Sequence, residues 1–341
     1  MRCLVTGGAG FIGSHAVKRL LDDGHHVLAV DDLSRGHSEA IDLLRGRGEG
    51  RLTFERCSLQ DHGALSAAVK AFAPDTVLHF AALAYVGESV QIPGRYYAVN
   101  VLGTLTLMHA CEGVERFVFS SSCATYGQPP ETMIPVPETC PQAPVSPYGR
   151  TKLVGEWMLQ DVARAKAIED QPFGVAMLRY FNVAGADRSG LLGEDHKPET
   201  HLIPLAIDAA LGRREALTIF GTDYATPDGT CVRDYVHVED LVDAHIAAID
   251  ATKPGSALAY NVGAGRGYSV REVIDTVGEV VGSPVPTVEG ERREGDPPRL
   301  FADPSKIERE LGWKANAADL REIVADAAAW RREHPQGYAG G

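Results

Sequence analysis

Cys3-Leu4-Val5-Thr6-Gly7-Gly8-Ala9-Gly10-Phe11-Ile12-Gly13 is the stretch on which the fold turns. Cys3 to Val5 is a short apolar strand that runs straight into glycines, and the helical pattern Ala16, Val17, Leu20, Leu21 follows, with Gly24 expected as its C-cap. Gly8, Gly10 and Gly13 satisfy G-x-G-x-x-G, a weak signal alone. Context strengthens it, because a second strand, Val27 to Val30, comes next and ends in Asp31. Such a strand–turn–helix junction presents unshielded backbone N–H groups and a positive dipole end to a pyrophosphate. A carboxylate closing the second strand accepts the ribose hydroxyls of NAD and repels a 2′-phosphate, so Asp31, with Asp32 beside it, points to NAD rather than NADP.

Strand-like runs recur at Leu52–Phe54, Thr76–Phe80, Phe117–Ser120 and Val175–Arg179, with helical patterns at about 61–73, 93–112 and 147–166. This alternation predicts an α/β fold, a doubly wound parallel Rossmann sheet with a smaller α/β C-terminal lobe. The expected division is a dinucleotide-binding domain over 1–182, to which the chain returns around 230–262, and a lobe formed mainly by 183–341. Ligands in such folds bind beyond the carboxyl ends of the strands, which singles out residues 80–84, 120–122 and 180–182.

The chain of 341 residues is 44% hydrophobic, enough for a large core, and its formal charge of -13 with no Lys/Arg block argues against nucleic acid or an anionic membrane as partner. Six cysteines form no CxxC pair and have no His spacing suited to zinc; they read as reduced, buried thiols, and no metal is expected. No apolar run approaches a membrane span, so a cytoplasmic enzyme is expected.

Ser146-Pro147-Tyr148-Gly149-Arg150-Thr151-Lys152 opens a helix, with Ser146 as N-cap and Pro147 in its first turn. Tyr148 and Lys152 then share a face, and the ammonium favours the phenolate that an acid/base role needs. On their own they would fit an ordinary surface pair. Ser122, just past the strand ending at Ser120, can bond a substrate hydroxyl or serve as a turn serine. Asn100, a poor helix former, either ties its amide to a neighbouring loop or faces water.

Beyond Asn182 the chain is expected to run through a long loop (185–200), a helix (203–211), strands at 217–221, 230–238 and 258–262, and helices at 304–312 and 317–332. A second glycine run, Gly263 to Gly267, is followed by the capping box Ser269 to Glu272 and reads as a turn into a helix. Arg233 and Arg293 carry guanidinium groups of the kind that grip diphosphate bidentately.

The glycine turn, Tyr148-x-x-x-Lys152 and Ser122 resemble the extended short-chain dehydrogenase/reductase superfamily. His79-Phe80-Ala81-Ala82, Val86–Val90, Ser146–Gly149, Leu178–Asn182, Asp228–Tyr235 and Arg292-Arg293-Glu294-Gly295-Asp296 resemble more closely its UDP-glucose 4-epimerase family, over nearly the whole chain. That resemblance implies a tightly held NAD and interconversion of UDP-glucose and UDP-galactose by transient oxidation at C4. It assigns proton transfer to Tyr148, phenolate support and ribose binding to Lys152, and a hydrogen bond on the reacting oxygen to Ser122. It implies cofactor contacts from Gly7, Gly10, Phe11, Ile12, Gly13, Asp31, Asp32, Ser58, Leu59, Phe80, Ala81, Ala84, Asn100, Tyr180 and Phe181. It implies substrate contacts from Asn182, His201, Leu202, Arg233, Tyr235, Arg293, Asp296 and Leu300, the last as the residue limiting sugar size. Ser58 and Ala84 depart from residues usual near the cofactor, and His201 stands where Asn is common. UDP-arabinose/UDP-xylose and UDP-N-acetylglucosamine are alternative substrates, a non-catalytic dinucleotide-binding protein is a remote one, and a homodimer through the helices at 93–112 and 147–166 is implied by analogy. Dehydratase chemistry is disfavoured, because Ser122-Cys123-Ala124-Thr125 lacks the acid such enzymes carry.

Overall fold

The structure, a computed structural model, describes residues 1–293, 295–317 and 319–340. Glu294 of the charged motif and Ala318 of the last expected helix lie outside the described residues. In chain order the elements begin β1 (Arg2–Thr6), α1 (Phe11–Asp22), β2 (His26–Asp31), α2 (Ser38–Arg45), β3 (Leu52–Arg56), α3 (His62–Phe72) and β4 (Thr76–His79). There follow α4 (Val86–Gln91), α5 (Pro93–Tyr96), a π-helical turn (Tyr97–Leu102), α6 (Gly103–Ala110), β5 (Arg116–Ser122), α7 (Pro147–Ile168), β6 (Gly174–Tyr180) and β7 (Asn182–Ala184). The remainder is α8 (Leu202–Ala210), β8 (Leu217–Phe220), β9 (Val232–His237), α9 (Val238–Ala251), β10 (Ala257–Val262), β11 (Gly267–Ser269), α10 (Val270–Val281), β12 (Thr287–Gly290), β13 (Arg299–Leu300), α11 (Ser305–Leu311) and α12 (Leu320–Glu333).

Two compact units result. The first comprises Met1–Thr125, Pro144–Arg179 and Val242–Tyr260; the second comprises Tyr126–Ala143, Tyr180–Leu241 and the chain from Asn261. A seven-stranded sheet runs in the order β10-β6-β5-β4-β1-β2-β3, with parallel pairing of β1 to β2 and β4, of β2 to β3 and of β4 to β5. β1 therefore stands between β2 and β4, the point where strand order reverses and where such sheets bind ligands. Both faces are buried, so these strands read as continuous apolar runs. Leu4, Leu28, Val77, Phe117 and Val175 pack with Leu159 of α7 in the first unit's core, each contributing roughly 1.5–3 kcal/mol by leaving water. In the second unit α8, α10 and α12 bury Ile203, Ile207, Val273, Val277, Ile323 and Val324 together.

Helix α7 is pressed onto β5 by two glycines. A Cβ on Gly149 would stand 2.4 Å from Ala124 O, and one on Gly155 would stand 2.6 Å from the Phe119 ring. A buried ion pair holds the same helix to β6: Arg179 Nη2 lies 2.6 Å from Glu156 Oε2, and Ser121 Oγ donates to Glu156 Oε1 at 2.5 Å. The capping box is present, with Ser269 Oγ accepting from Glu272 N at 3.0 Å and Glu272 Oε2 accepting from Ser269 N at 2.6 Å. The preceding glycine run encloses a carboxylate: Asp234 accepts from Ala264 N, Gly265 N and Ala302 N, and a Cβ on Gly263 would meet Asp234 Oδ2 at 2.5 Å. Those glycines therefore serve a turn around the protein's own side chain.

Several expectations need correction. The helix expected over 93–112 is three segments, because the π turn widens the backbone around Asn100. α1 is capped at Asp23, and Gly24 takes the left-handed φ of +84° just beyond it. β5 extends through Ser122. Helices α2 and α9 and the excursion Tyr126–Ala143 were not expected.

Replacing Glu156 by Ala leaves a buried guanidinium unpaired and should cost about 3–5 kcal/mol, read as a lowered unfolding midpoint. The double replacement of Glu156 and Arg179 by Leu should recover most of that loss.

Candidate active site

The glycine turn is held by contacts that leave no space for side chains. Gly7 has φ +69°, its N donates to Val30 O at 2.8 Å, and a Cβ there would be 2.7 Å from Ala81 N. A Cβ on Gly13 would lie 2.0 Å from Gly7 O. The first turn of α1, Phe11-Ile12-Gly13, follows Gly10 as N-cap, and no side chain caps it. A twelve-residue helix start with backbone donors and no carboxylate or hydroxyl of its own fits a pyrophosphate. Phe80 and Ala81, just past β4, pack on the same turn.

Asp31 ends β2 with Oδ2 accepting from Ala9 N at 3.1 Å and Oδ1 from Leu33 N at 2.8 Å, and burial raises its carboxyl above the usual range. Each oxygen keeps a lone pair for a ribose hydroxyl. Asp32 is exposed and accepts from Ser34 N at 2.8 Å. Ser58 accepts from Gln60 N at 3.2 Å in the loop after β3, Leu59 is buried against Gly103, and Ala84 is exposed. Asn100 resolves to its first alternative: Oδ1 accepts from Leu83 N at 2.8 Å, and Nδ2 donates to Leu83 O and Thr151 Oγ1, both at 3.0 Å. Its amide thus ties the loop after β4 to α7.

Tyr148 and Lys152 face the end of β5. Tyr148 is buried with Leu83 and Tyr96, and Lys152 Nζ lies 5.9 Å from the centroid of its ring. Nζ also donates to Ser120 O at 2.6 Å and sits 5.1 Å from the Phe119 centroid. Burial lowers the Lys152 ammonium from its ordinary value to about 7. Ser122 Oγ accepts from Ala124 N at 3.1 Å. The turn-serine bond is therefore made, and the hydroxyl proton stays available for another acceptor.

A network that the sequence reading passed over lies behind this pair. Thr104 Oγ1 donates to Asn100 O at 2.6 Å, so it accepts from His79 Nε2 at 2.8 Å; His79 Nδ1 then accepts from Thr6 Oγ1 at 2.7 Å. His79 is held neutral, its pKa lowered to about 3 by burial and then by Lys152. Its signal was a histidine in an otherwise apolar strand, flanked in space by two threonines.

In the second unit, β9 gathers most of the residues that the resemblance assigned to substrate. Asn182 is in register with Tyr235, and its Nδ2 donates to Asp234 O at 2.9 Å. Arg233 Nη2 lies 3.2 Å from Asp296 Oδ1, and Leu300 of β13 is in register with Arg233. Tyr235 and Leu300 are buried, and burial pushes the Tyr235 phenol up. Tyr180 and Phe181 fall at the start of this unit, Phe181 N donating to Val262 O at 3.3 Å. Arg293, His201 and Leu202 are not drawn into the β9 group. Arg293 is stacked on Phe220, its Cζ 4.1 Å from the ring centroid. His201 precedes Leu202 at the start of α8, and its ring faces Glu194 and Glu199.

A doubly wound sheet with an open glycine turn at its switch point and a buried Tyr-Lys pair at a neighbouring strand end defines a dinucleotide-dependent enzyme. The sequence pattern of the NAD dependent epimerase/dehydratase family matches residues 3–263, and the chain belongs to that family. It is 44% identical over 342 residues to UDP-glucose 4-epimerase of Halalkalibacterium halodurans, covering 99% of this chain and 98% of the relative. It is 43% identical over 343 residues to probable UDP-arabinose 4-epimerase 3 of Oryza sativa subsp. japonica, covering 98% and 83%. Among solved structures, UDP-glucose-4-epimerase of Stenotrophomonas maltophila with bound NAD and formylated UDP-arabinopyranose superposes with a TM-score of 0.91 at 40% identity, covering 98% of this chain and 99% of that one. Among the described residues no helix is long and apolar enough to cross a membrane.

Holding Lys152 in a dry site opposes folding. With a folded pKa near 7 and an unfolded value near 10.5, the penalty is full below about pH 7 and fades as pH rises toward the ordinary lysine range. Lys152→Met should therefore raise the unfolding midpoint at pH 7, with the gain shrinking at pH 9 to 10, while turnover falls. An unchanged or lowered midpoint at pH 7 would contradict this account of Lys152.

Proposed function

We propose that the protein is an NAD-dependent UDP-sugar 4-epimerase that interconverts UDP-glucose and UDP-galactose. The observation that carries this reading is the buried Tyr148-Lys152 pair, whose ammonium donates to Ser120 O near the end of β5, in a chain similar throughout to enzymes of that name. When bound, NAD supplies a hydride acceptor and donor. Tyr148 would take the proton of the sugar's 4-hydroxyl as C4 gives up a hydride, and would return that proton to the C4 oxygen when the hydride comes back to the opposite face of C4, so that no net oxidation occurs. Lys152, as ammonium, stabilises the phenolate and holds the nicotinamide ribose, and Ser122 donates to the reacting oxygen. Asp31, with Asp32, takes the adenine ribose, and the first turn of α1 takes the pyrophosphate.

Substrate binding is assigned to Asn182, Arg233 and Arg293 on the diphosphate and to Asp296 on the uridine ribose. The Arg233–Asp296 contact of 3.2 Å supports this, since it brings two of these residues together. A sugar that must turn over calls for a loose pocket, with binding energy placed on the nucleotide instead.

A second reading has nearly equal support: UDP-arabinose/UDP-xylose interconversion, because identity to the rice protein, 43%, is within one point of that to the UDP-glucose enzyme. The two substrates differ by one CH₂OH, worth only about 1–3 kcal/mol of discrimination in a pocket. A homodimer through the α6 and α7 region belongs to the proposal; Leu102, Leu105 and Trp157 are exposed there.

The NAD-loaded protein should interconvert UDP-glucose and UDP-galactose, and a parallel assay of the pentose pair and UDP-N-acetylglucosamine ranks the sugars. Failure on every UDP-sugar would remove the epimerase reading. Tyr148→Phe should retain the dinucleotide and lose at least about 10²-fold in kcat; a near-normal rate would mean that another group moves the proton.

A further inference from the structure

Glu194, His196, Glu199 and His201, spaced Glu-x-His-x-x-Glu-x-His in the loop before α8, each bring one ligand atom to within 4.8 Å of the other three. His201 Nδ1 is 2.7 Å from Glu194 Oε1 and 3.2 Å from Glu199 Oε1; His196 Nδ1 is 3.2 Å from Glu194 Oε1 and 3.6 Å from Glu199 Oε2. Around a tetrahedral ion with bonds of 2.0–2.1 Å, ligand atoms stand about 3.3–3.4 Å apart, and the four separations straddle that distance.

A second observation points the same way. The Glu194 side chain is 5% exposed, and its Oε1, like Oε2 of Glu199, is a buried oxygen that meets the cluster's own imidazoles and has no hydrogen-bond donor from outside the cluster among the described residues. Such an atom is costly to leave in a dry site, and a cation among the four ligands would satisfy it. The surrounding backbone is pinned independently: Glu199 Oε1 accepts from Thr200 N at 2.7 Å and His201 N at 2.9 Å, and Gly193 N donates to Tyr338 Oη at 3.0 Å. Arg331, which donates to Glu194 O, has its own charge matched by Asp208. Two carboxylates and two neutral imidazoles would then balance a divalent ion.

We propose that this cluster binds one divalent transition-metal ion, with zinc the best match to its two nitrogen and two oxygen ligands. Four protein ligands close the coordination shell, so the role is structural: the ion clips the loop over 194–199 to the start of α8 at His201. The expectation of no metal rested on the cysteines and did not weigh this His/Glu spacing.

The test uses the full-length, NAD-loaded protein, stripped with chelator and reloaded with Zn²⁺ or Co²⁺. The expected results are about one Zn²⁺ retained per chain after desalting, ligand-field absorption of tetrahedral Co²⁺, and a midpoint raised by about 3 °C or more in excess Zn²⁺. His196→Ala and Glu199→Gln should lose all three signals while still retaining dinucleotide, and the glutamine keeps an oxygen for the Thr200 and His201 amides. No retained metal, or the same metal signals in both variants, would overturn the proposal and leave an imidazolium–carboxylate quartet.

Discussion

The site depends on a buried ammonium. Lys152 gives its proton to one backbone oxygen, Ser120 O, lies between two aromatic rings, and is 4% exposed. Burial of a charge without a carboxylate partner is expensive, so the surroundings must be rigid enough to impose it. Gly149 and Gly155 let α7 approach β5 and the turn after it more closely than any side chain allows, and the Glu156–Arg179 pair ties the same helix to β6. His79 is the nearest group that could have added a second positive charge. Burial holds it neutral instead, and the bonds to Thr6 and Thr104 fix Nε2 as the protonated nitrogen.

Thr6 carries this constraint into the dinucleotide turn. It ends β1, donates to His79, and accepts from Ala81 N, whose backbone in turn packs on Gly7. Asn100 does the same from the helical side by fastening Leu83 to Thr151, one residue before Lys152. The loop after β4 is therefore clamped at both ends, and the glycine turn and the start of α7 share one hydrogen-bonded framework. Asn100 makes this clamp from within a π turn, and such turns recur at functional sites.

Features set by neighbouring residues were legible in the sequence: the glycine turn with its strand and helix, Asp31 at a strand end, Ser146 capping α7, and the capping box at Ser269. Features set by distant residues were not. Nothing local marks Asp234 as the carboxylate around which Gly263 to Gly265 and Ala302 are wrapped, so the second glycine run read only as a turn. The excursion Tyr126–Ala143 into the second unit is decided by tertiary packing, through Val136 bridged to Ala302 and Asn261 Nδ2 donating to Val136 O. The family pattern led to His201 as a substrate group, but the ring's partners, Glu194 and Glu199, come from a loop whose path no periodicity reveals.

The arrangement within the second unit bears on how sugar choice could vary without loss of nucleotide binding. Arg233 and Leu300 are register partners on β9 and β13, so the guanidinium and the side chain proposed to limit sugar size are positioned by backbone pairing rather than by each other's shape. Asp234, between Arg233 and Tyr235, accepts from Ala302 N and ties the residue two beyond Leu300 to the same strand. On the proposed assignment of Leu300, changing the bulk at this position alters the space near the sugar while this ladder keeps Arg233 in place. On the proposed reading, hexose and pentose substrates can be served by one nucleotide-binding frame, and the difference between them rests on a few side chains that carry no motif.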